Sequence, residues 1–213
     1  MTATTPAKTM ESVFLNYPFD DEYLPLLDAM LFAILACGLR PRCASEYGDG
    51  GEVRIEKLYS LIGECRFAVH DLSRVELTEE SKLPRFNMPL ELGIWLGAKR
   101  FGSKQKNKVC LILDSQQHRH PKFISDISGQ DAISHGNDPL KLVRAVRDWL
   151  QPYLTLGSKL PGGSHYVTLY EQFCKVRPKL ATEARRLVSE LTFRDRVQLI
   201  EVWLVNTASS AMS

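Results

Sequence analysis

The chain predicts an α/β fold: a parallel sheet of about five strands with helices on both faces, followed by a C-terminal helical extension. Three observations predict it. Short β-type runs alternate with segments of helical periodicity from Ser12 to Tyr153. Glycine, proline and acidic residues fall at the joins, where helices start and stop. Past a Pro/Gly-containing stretch, Leu156–Ser164, the β-type runs cease and helical periodicity alone remains. With right-handed crossovers, five such strands suggest the flavodoxin-like order 2-1-3-4-5. The expected division is a loose N-terminus at 1–11, an α/β domain at 12–153, and a linker with helical extension at 154–213.

The elements follow in order. Ser12–Tyr17 (SVFLNY) is a β-type run closed by Pro18. Asp20–Gly38 spaces Leu24, Leu27, Leu31, Ile34 and Leu35 as one helical face. Asp20 and Asp21 suit its start, Pro25 its first turn and Gly38 its end. Leu39–Ser45 is a second strand, and Pro41 places it at a sheet edge. After the loop Tyr47–Gly51, Ile55, Leu58, Tyr59 and Ile62 mark a helix ending near Gly63. Arg66–Leu72 is the third strand, and the charged loop Ser73–Arg85 follows. Asn87–Phe101 is helical with apolar residues nearly all round, which predicts burial. Lys108–Asp114 is the fourth strand, Asp131–Ser134 a short fifth. Asp138–Tyr153 closes the unit with Leu142, Val146 and Trp149 on one face. Tyr166–Val176, Pro178–Glu190 and Phe193–Asn206 read as helices, the last opened by Thr192 and Asp195 in the manner of a capping box. This tail is too small for a strong core of its own, so it should pack on the main domain or on a second copy.

Composition narrows the function classes. The 213 residues carry 27 Lys plus Arg against 25 Asp plus Glu, a net charge of +2. Such balance argues against nucleic-acid binding by bulk charge. No run of ~18 apolar residues predicts a membrane span, and the first ten residues lack the apolar core of a signal peptide. Five scattered cysteines without a Cys-x-x-Cys pair read as reduced thiols of a cytoplasmic protein.

An open α/β sheet binds ligands outside the carboxyl ends of its strands. That rule selects Asn16, Tyr17, Phe19 and Asp20 after the first strand, His70, Asp71 and Ser73 after the third, and Asn87 and Glu91 on the helix that follows. Glu91 stands among Met88, Leu90, Leu92, Ile94 and Trp95. A carboxylate there is costly unless partnered or functional, though a helix N-terminus also favours one. Asn87 shares its face, and Gly93 and Gly97 permit close backbone approach on another. Asp71 is either a ligand-facing carboxylate or a turn cap. Tyr17 and Phe19 either stack on a ring or pack locally. Gly48–Gly51 offers a weak phosphate signal, and Arg54 could pair with a phosphate, though such an arginine is more often solvated surface. His118 and His120 lack a third ligand nearby in sequence, so no metal is expected. The run Lys99, Arg100, Lys104, Lys106, Lys108 reads as a solvated helix end and turn.

With these residues placed, the chain resembles the Toll/interleukin-1 receptor (TIR) family and the related nucleoside 2-deoxyribosyltransferases. Val13–Tyr17 with Asp20 and Asp21 resembles the first TIR motif. Gly50–Asp71 resembles that family's loop, second helix and third strand, and Phe86–Gly97, with Glu91-Leu92-Gly93, the segment that carries the glutamate in both families. The likeness spans Ser12–Leu150 and leaves Gln151–Ser213 aside. It departs from TIR enzymes at Met88–Leu90, where a Ser or Cys often precedes the glutamate, and in the loop Ser73–Arg85.

The resemblance implies cleavage of the N-glycosidic bond of NAD, by hydrolysis, cyclisation or transfer, with NAD as substrate and no separate cofactor. Glu91 would stabilise or trap the oxocarbenium-like ribosyl cation. Tyr17 and Phe19 would stack on a ring, and Asn16, Asp71 and Asn87 would surround the ribose. It also implies a role in bacterial antiphage defence and assembly as a homo-oligomer or with a partner protein. A deoxyribosyltransferase-like enzyme and a non-catalytic nucleotide-binding or assembly module are the alternatives.

Overall fold

The computed structural model describes residues 11–46, 50–76, 84–154 and 160–210. Five parallel strands run β1 (Ser12–Asn16), β2 (Arg40–Arg42), β3 (Phe67–Asp71), β4 (Val109–Asp114) and β5 (Ala132–Ser134). Their order in the sheet is β2-β1-β3-β4-β5, the flavodoxin-like arrangement the alternation predicts. β2 is an edge strand, as its proline requires. The helices are α1 (Leu24–Ala36), α2 (Arg54–Glu64), α3 (Asn87–Phe101), α4 (Pro139–Leu150), α5 (Gly163–Glu183) and α6 (Phe193–Ser210).

Local signals act where the sequence puts them. Asp20 accepts a hydrogen bond from the Tyr23 N–H at 3.0 Å and opens a single 3-10 turn, so α1 proper starts at Leu24 with Pro25 in its first turn. Gly38, at φ +78, lets the chain leave α1 with the Leu39 N–H returned to the Ile34 carbonyl. Asp138 caps α4 through the Leu140 and Lys141 N–H groups. Thr192 and Asp195 form the reciprocal capping box of α6: the Thr192 N–H reaches the Asp195 carboxylate at 3.0 Å, and the Asp195 N–H reaches Thr192 Oγ1 at 3.2 Å.

Four expectations give way. α1 is buried all round from Leu26 to Leu35 rather than on one face. The cause lies in the C-terminal helices: Tyr170 and Phe173 of α5 and Trp203 of α6 close on Phe32, with ring centroids 5.4, 5.7 and 5.7 Å away. The tail therefore packs on the α/β unit and shares its main core. Conversely, α3 is not buried all round. Leu90 and Phe101 stand exposed on it, and no described residue lies within 4 Å of a Cβ placed on Gly93 or Gly97. Next, α5 runs unbroken through Pro178, where a helix boundary is expected, and begins at Gly163, inside the expected linker. It ends where Arg185 takes a positive φ, so 184–190 holds only a short 3-10 turn. Lastly, Lys108 is buried, not solvated. Its ammonium donates to the Ile62 and Cys65 carbonyls at the end of α2 and sits 4.1 Å from the Trp95 ring centre. Burial lowers its pKa to about 8.

Residues 1–10, 47–49 of the loop before α2, 77–83 of the charged loop, 155–159 of the expected linker and 211–213 lie outside the described residues. No helix among the described residues is long and apolar enough to cross a membrane. All five cysteines are free thiols.

Candidate active site

The carboxyl end of β1, the first residue of α2 and the first turns of α3 line a cavity of about 400 Å³, a size suited to a small ligand. Its wall includes Asn16, Tyr17, Phe19, Asn87 and Glu91, five of the six residues the sequence nominates. Arg54, Arg85 and Phe86 complete the functional part of the lining.

Asn16 ends β1, and β-sheet register puts it beside His70. Its amide nitrogen donates to His70 Nδ1 at 2.9 Å and to the Met88 carbonyl at 2.8 Å. Both amide hydrogens are thus spent within the protein. They tie the sheet to the first turn of α3, one turn ahead of Glu91. His70 is fully buried between Phe14 and Trp95, and burial drives its pKa down to about 3. It is neutral, accepts at Nδ1 and so carries its proton on Nε2.

Glu91 is the fifth residue of α3, beyond the first turn where a helix dipole favours a carboxylate. It is only 8% exposed. Among the described residues its carboxylate has no hydrogen-bond or salt-bridge partner. Burial pushes its pKa up to about 7, against the opposing charge of Arg54. A buried carboxylate facing a cavity, with no partner among the described residues, makes Glu91 a candidate acid or base.

The aromatic pair divides its work. Tyr17 is buried, stacked on Tyr23 with centroids 5.8 Å apart, and backs Phe19 at 4.6 Å. Phe19 is half exposed and carries the guanidinium of Arg54 over its ring at 5.5 Å. Phe19, not Tyr17, is the accessible ring of the pair, with Tyr17 on one side of it and the Arg54 guanidinium over it. Asn87, exposed at the start of α3, shares the cavity wall with Glu91 as helical spacing predicts.

Asp71 departs from its expected role. It is fully buried and is not part of the cavity wall. One carboxylate oxygen takes the Tyr23 hydroxyl at 2.5 Å and lies 3.1 Å from His135 Nε2; the other takes the Ser73 N–H at 2.8 Å. Burial alone would raise its pKa, but His135, Tyr23 and Ser73 together hold it below the usual range. Asp71 is a structural cap that fastens β3 to α1 and to the segment after β5.

Sequence reasoning missed Arg85 and Phe86. Arg85 reaches Asp20 at 2.9 Å, a link between the end of the charged loop and the turn after β1 that no local pattern announces. His118 is exposed and His120 buried, so the two do not form a chelating pair. Among the described residues no three His, Cys, Asp or Glu side chains gather as a metal site. Comparisons with protein-family models, curated proteins and solved structures find no match to this chain.

Proposed function

We propose that this chain cleaves the N-glycosidic bond of NAD or a related nucleotide, with Glu91 as the catalytic carboxylate. The observation that carries the reading is Glu91 itself, buried without a partner among the described residues against a cavity walled by the half-exposed Phe19 ring and two amide side chains. Breaking a bond between a base and ribose develops positive charge on the sugar. An ionised carboxylate held in a site of low dielectric stabilises that cation or captures it as a glycosyl ester. In this reading the half-exposed Phe19 ring borders the base, and Asn87 and the carbonyl oxygen of Asn16 take ribose hydroxyls. The resemblance of Glu91-Leu92-Gly93 and of the element order to TIR enzymes supports NAD as the substrate, and a defence role with assembly into oligomers belongs to the same proposal.

The test is incubation of the purified chain with NAD, and separately with a deoxynucleoside plus a free base, with products separated by chromatography. Nicotinamide release that falls roughly 100-fold or more in a folded Glu91→Gln variant is the expected result. kcat/KM should rise with pH toward a plateau above about 7, because the working form is the carboxylate. Full activity in Glu91→Gln would remove the residue from the mechanism. Base exchange without NAD loss would move the chain to the nucleoside-processing alternative.

A further inference from the structure

Arg54 and Glu91 line the same cavity with opposite chemistry. Arg54 is the first residue of α2, and the preceding Val53 is extended and offers no side-chain cap. The Glu56 and Lys57 N–H groups fold back to the Val53 carbonyl. The Arg54 and Ile55 N–H groups have no acceptor among the described residues. The Arg54 guanidinium is exposed and steered by its contact with Phe19. Arg85, the other cation of the wall, is matched by Asp20 at 2.9 Å, whereas Arg54 has no carboxylate within ion-pair distance among the described residues. The same cavity holds the nine-tenths-buried, unpartnered carboxylate of Glu91. A ligand of this cavity that carries positive charge beside Glu91 and an anionic group beside Arg54 would satisfy the carboxylate, the forked donor and the two backbone N–H groups that lack an acceptor among the described residues.

We infer that Arg54 and the open first turn of α2 bind a phosphate group of the substrate, which makes this a site for phosphorylated nucleosides rather than for nucleosides. The inference rests on the reading of Glu91 as the sugar-facing group, and it narrows the substrate class of that site. The chemistry fits each part. A guanidinium binds a phosphate through two parallel N–H···O bonds. N–H groups at a helix start add donors and the positive end of the helix dipole. Phe19 holds the guanidinium in place before the ligand arrives, so less side-chain entropy is lost on binding.

Binding is measured by calorimetry on the Glu91→Gln chain, which removes turnover. The probes are nicotinamide mononucleotide and nicotinamide riboside, which differ by the 5′-phosphate alone. The mononucleotide should bind about tenfold tighter or more, the scale of hydrogen bonds to a charged group. Arg54→Ala should erase that preference and leave riboside affinity within about twofold, and Arg54→Lys should recover only part of it. Inorganic pyrophosphate is the third probe, followed by phosphorus NMR line broadening. Arg54-dependent binding of pyrophosphate with neither nicotinamide compound bound would keep the anion site and discard the glycosidic reading. Equal affinity for mononucleotide and riboside, or equal loss of both in Arg54→Ala, would overturn the anion site while leaving Glu91 chemistry standing. Failure of pyrophosphate to bind, with no preference for the mononucleotide, would overturn it as well.

Discussion

At the scale of single residues, the site stands on what burial does to two neighbouring groups. His70 is kept neutral and spends its acceptor on Asn16, so it fixes geometry instead of moving protons. Glu91 has the opposite character, with a folded pKa of about 7 against an ordinary 4.5. Between those values the folded chain holds a proton that the unfolded chain has released. Stability contributed at this residue is therefore present at low pH and is lost as pH rises through that window. Arg54 faces the same cavity, and its charge softens the loss without abolishing it. Glu91→Gln does not titrate there, so it should exceed the parent chain by about 3 kcal/mol at pH 8 and match it below pH 4. Urea denaturation at the two pH values checks this, and equal stability at pH 8 would show that the carboxylate finds a partner in solution. Most of this site was legible from strand ends and helical spacing: five of the nominated residues do line one cavity. Asp71 was not, because its carboxylate is consumed by Tyr23, 48 residues away, and by His135. A strand end in sequence does not reveal which distant hydroxyl or imidazole will reach it.

At the scale of elements, strand order and helix identity followed from alternation and caps, and the errors concern faces and joins. α1 and α3 exchange their expected environments. Amphipathic spacing shows which face of a helix meets the sheet, but not whether a later helix will cover the other face. α5 and α6 cover that of α1, and Leu90 and Phe101 leave α3 exposed. Pro178 shows the same limit. As a local signal it ends helices, since it cannot donate to the preceding turn. Within α5 the packing of Phe173 and Ala181 on either side of it outweighs that loss. The proline is then a residual cost in an otherwise continuous helix. Pro178→Ala should raise stability by about 1–3 kcal/mol, read as a higher midpoint in urea with the slope unchanged. A lower midpoint would mean that the proline's restriction of the unfolded chain outweighs its cost in the helix.

At the scale of the whole molecule, the C-terminal helices extend the core and also reach the wall of the site. Leu191, Phe193 and Arg196, at the start of α6, line a small second cavity whose opposite wall is Tyr17, Phe19 and Tyr23, the aromatic stack behind the candidate active site. What fastens this unit to α1 is a buried charge cluster. Asp28 accepts from Arg196 at 2.7 Å through one oxygen and from Arg177 through the other. Asp28 and Arg196 are each about 4% exposed. Two buried charges gain little over a well-packed apolar pair, yet removing one strands the other in a medium that cannot solvate it. Asp28→Ala should therefore cost about 3–5 kcal/mol, far more than the few atoms removed would suggest. The double change Asp28→Leu with Arg196→Met should recover most of that loss, because it deletes the two most buried charges and keeps the volume, while Arg177, with its side chain 23% exposed, can turn to water. If α6 braces the Tyr17–Phe19 stack and the chain has the proposed NAD-cleaving activity, Asp28→Ala should also raise KM for NAD while the double variant restores it, both measured where each protein is fully folded. A cost below about 1 kcal/mol for Asp28→Ala would instead assign the attachment of the tail to Phe32, Phe173 and Trp203 alone.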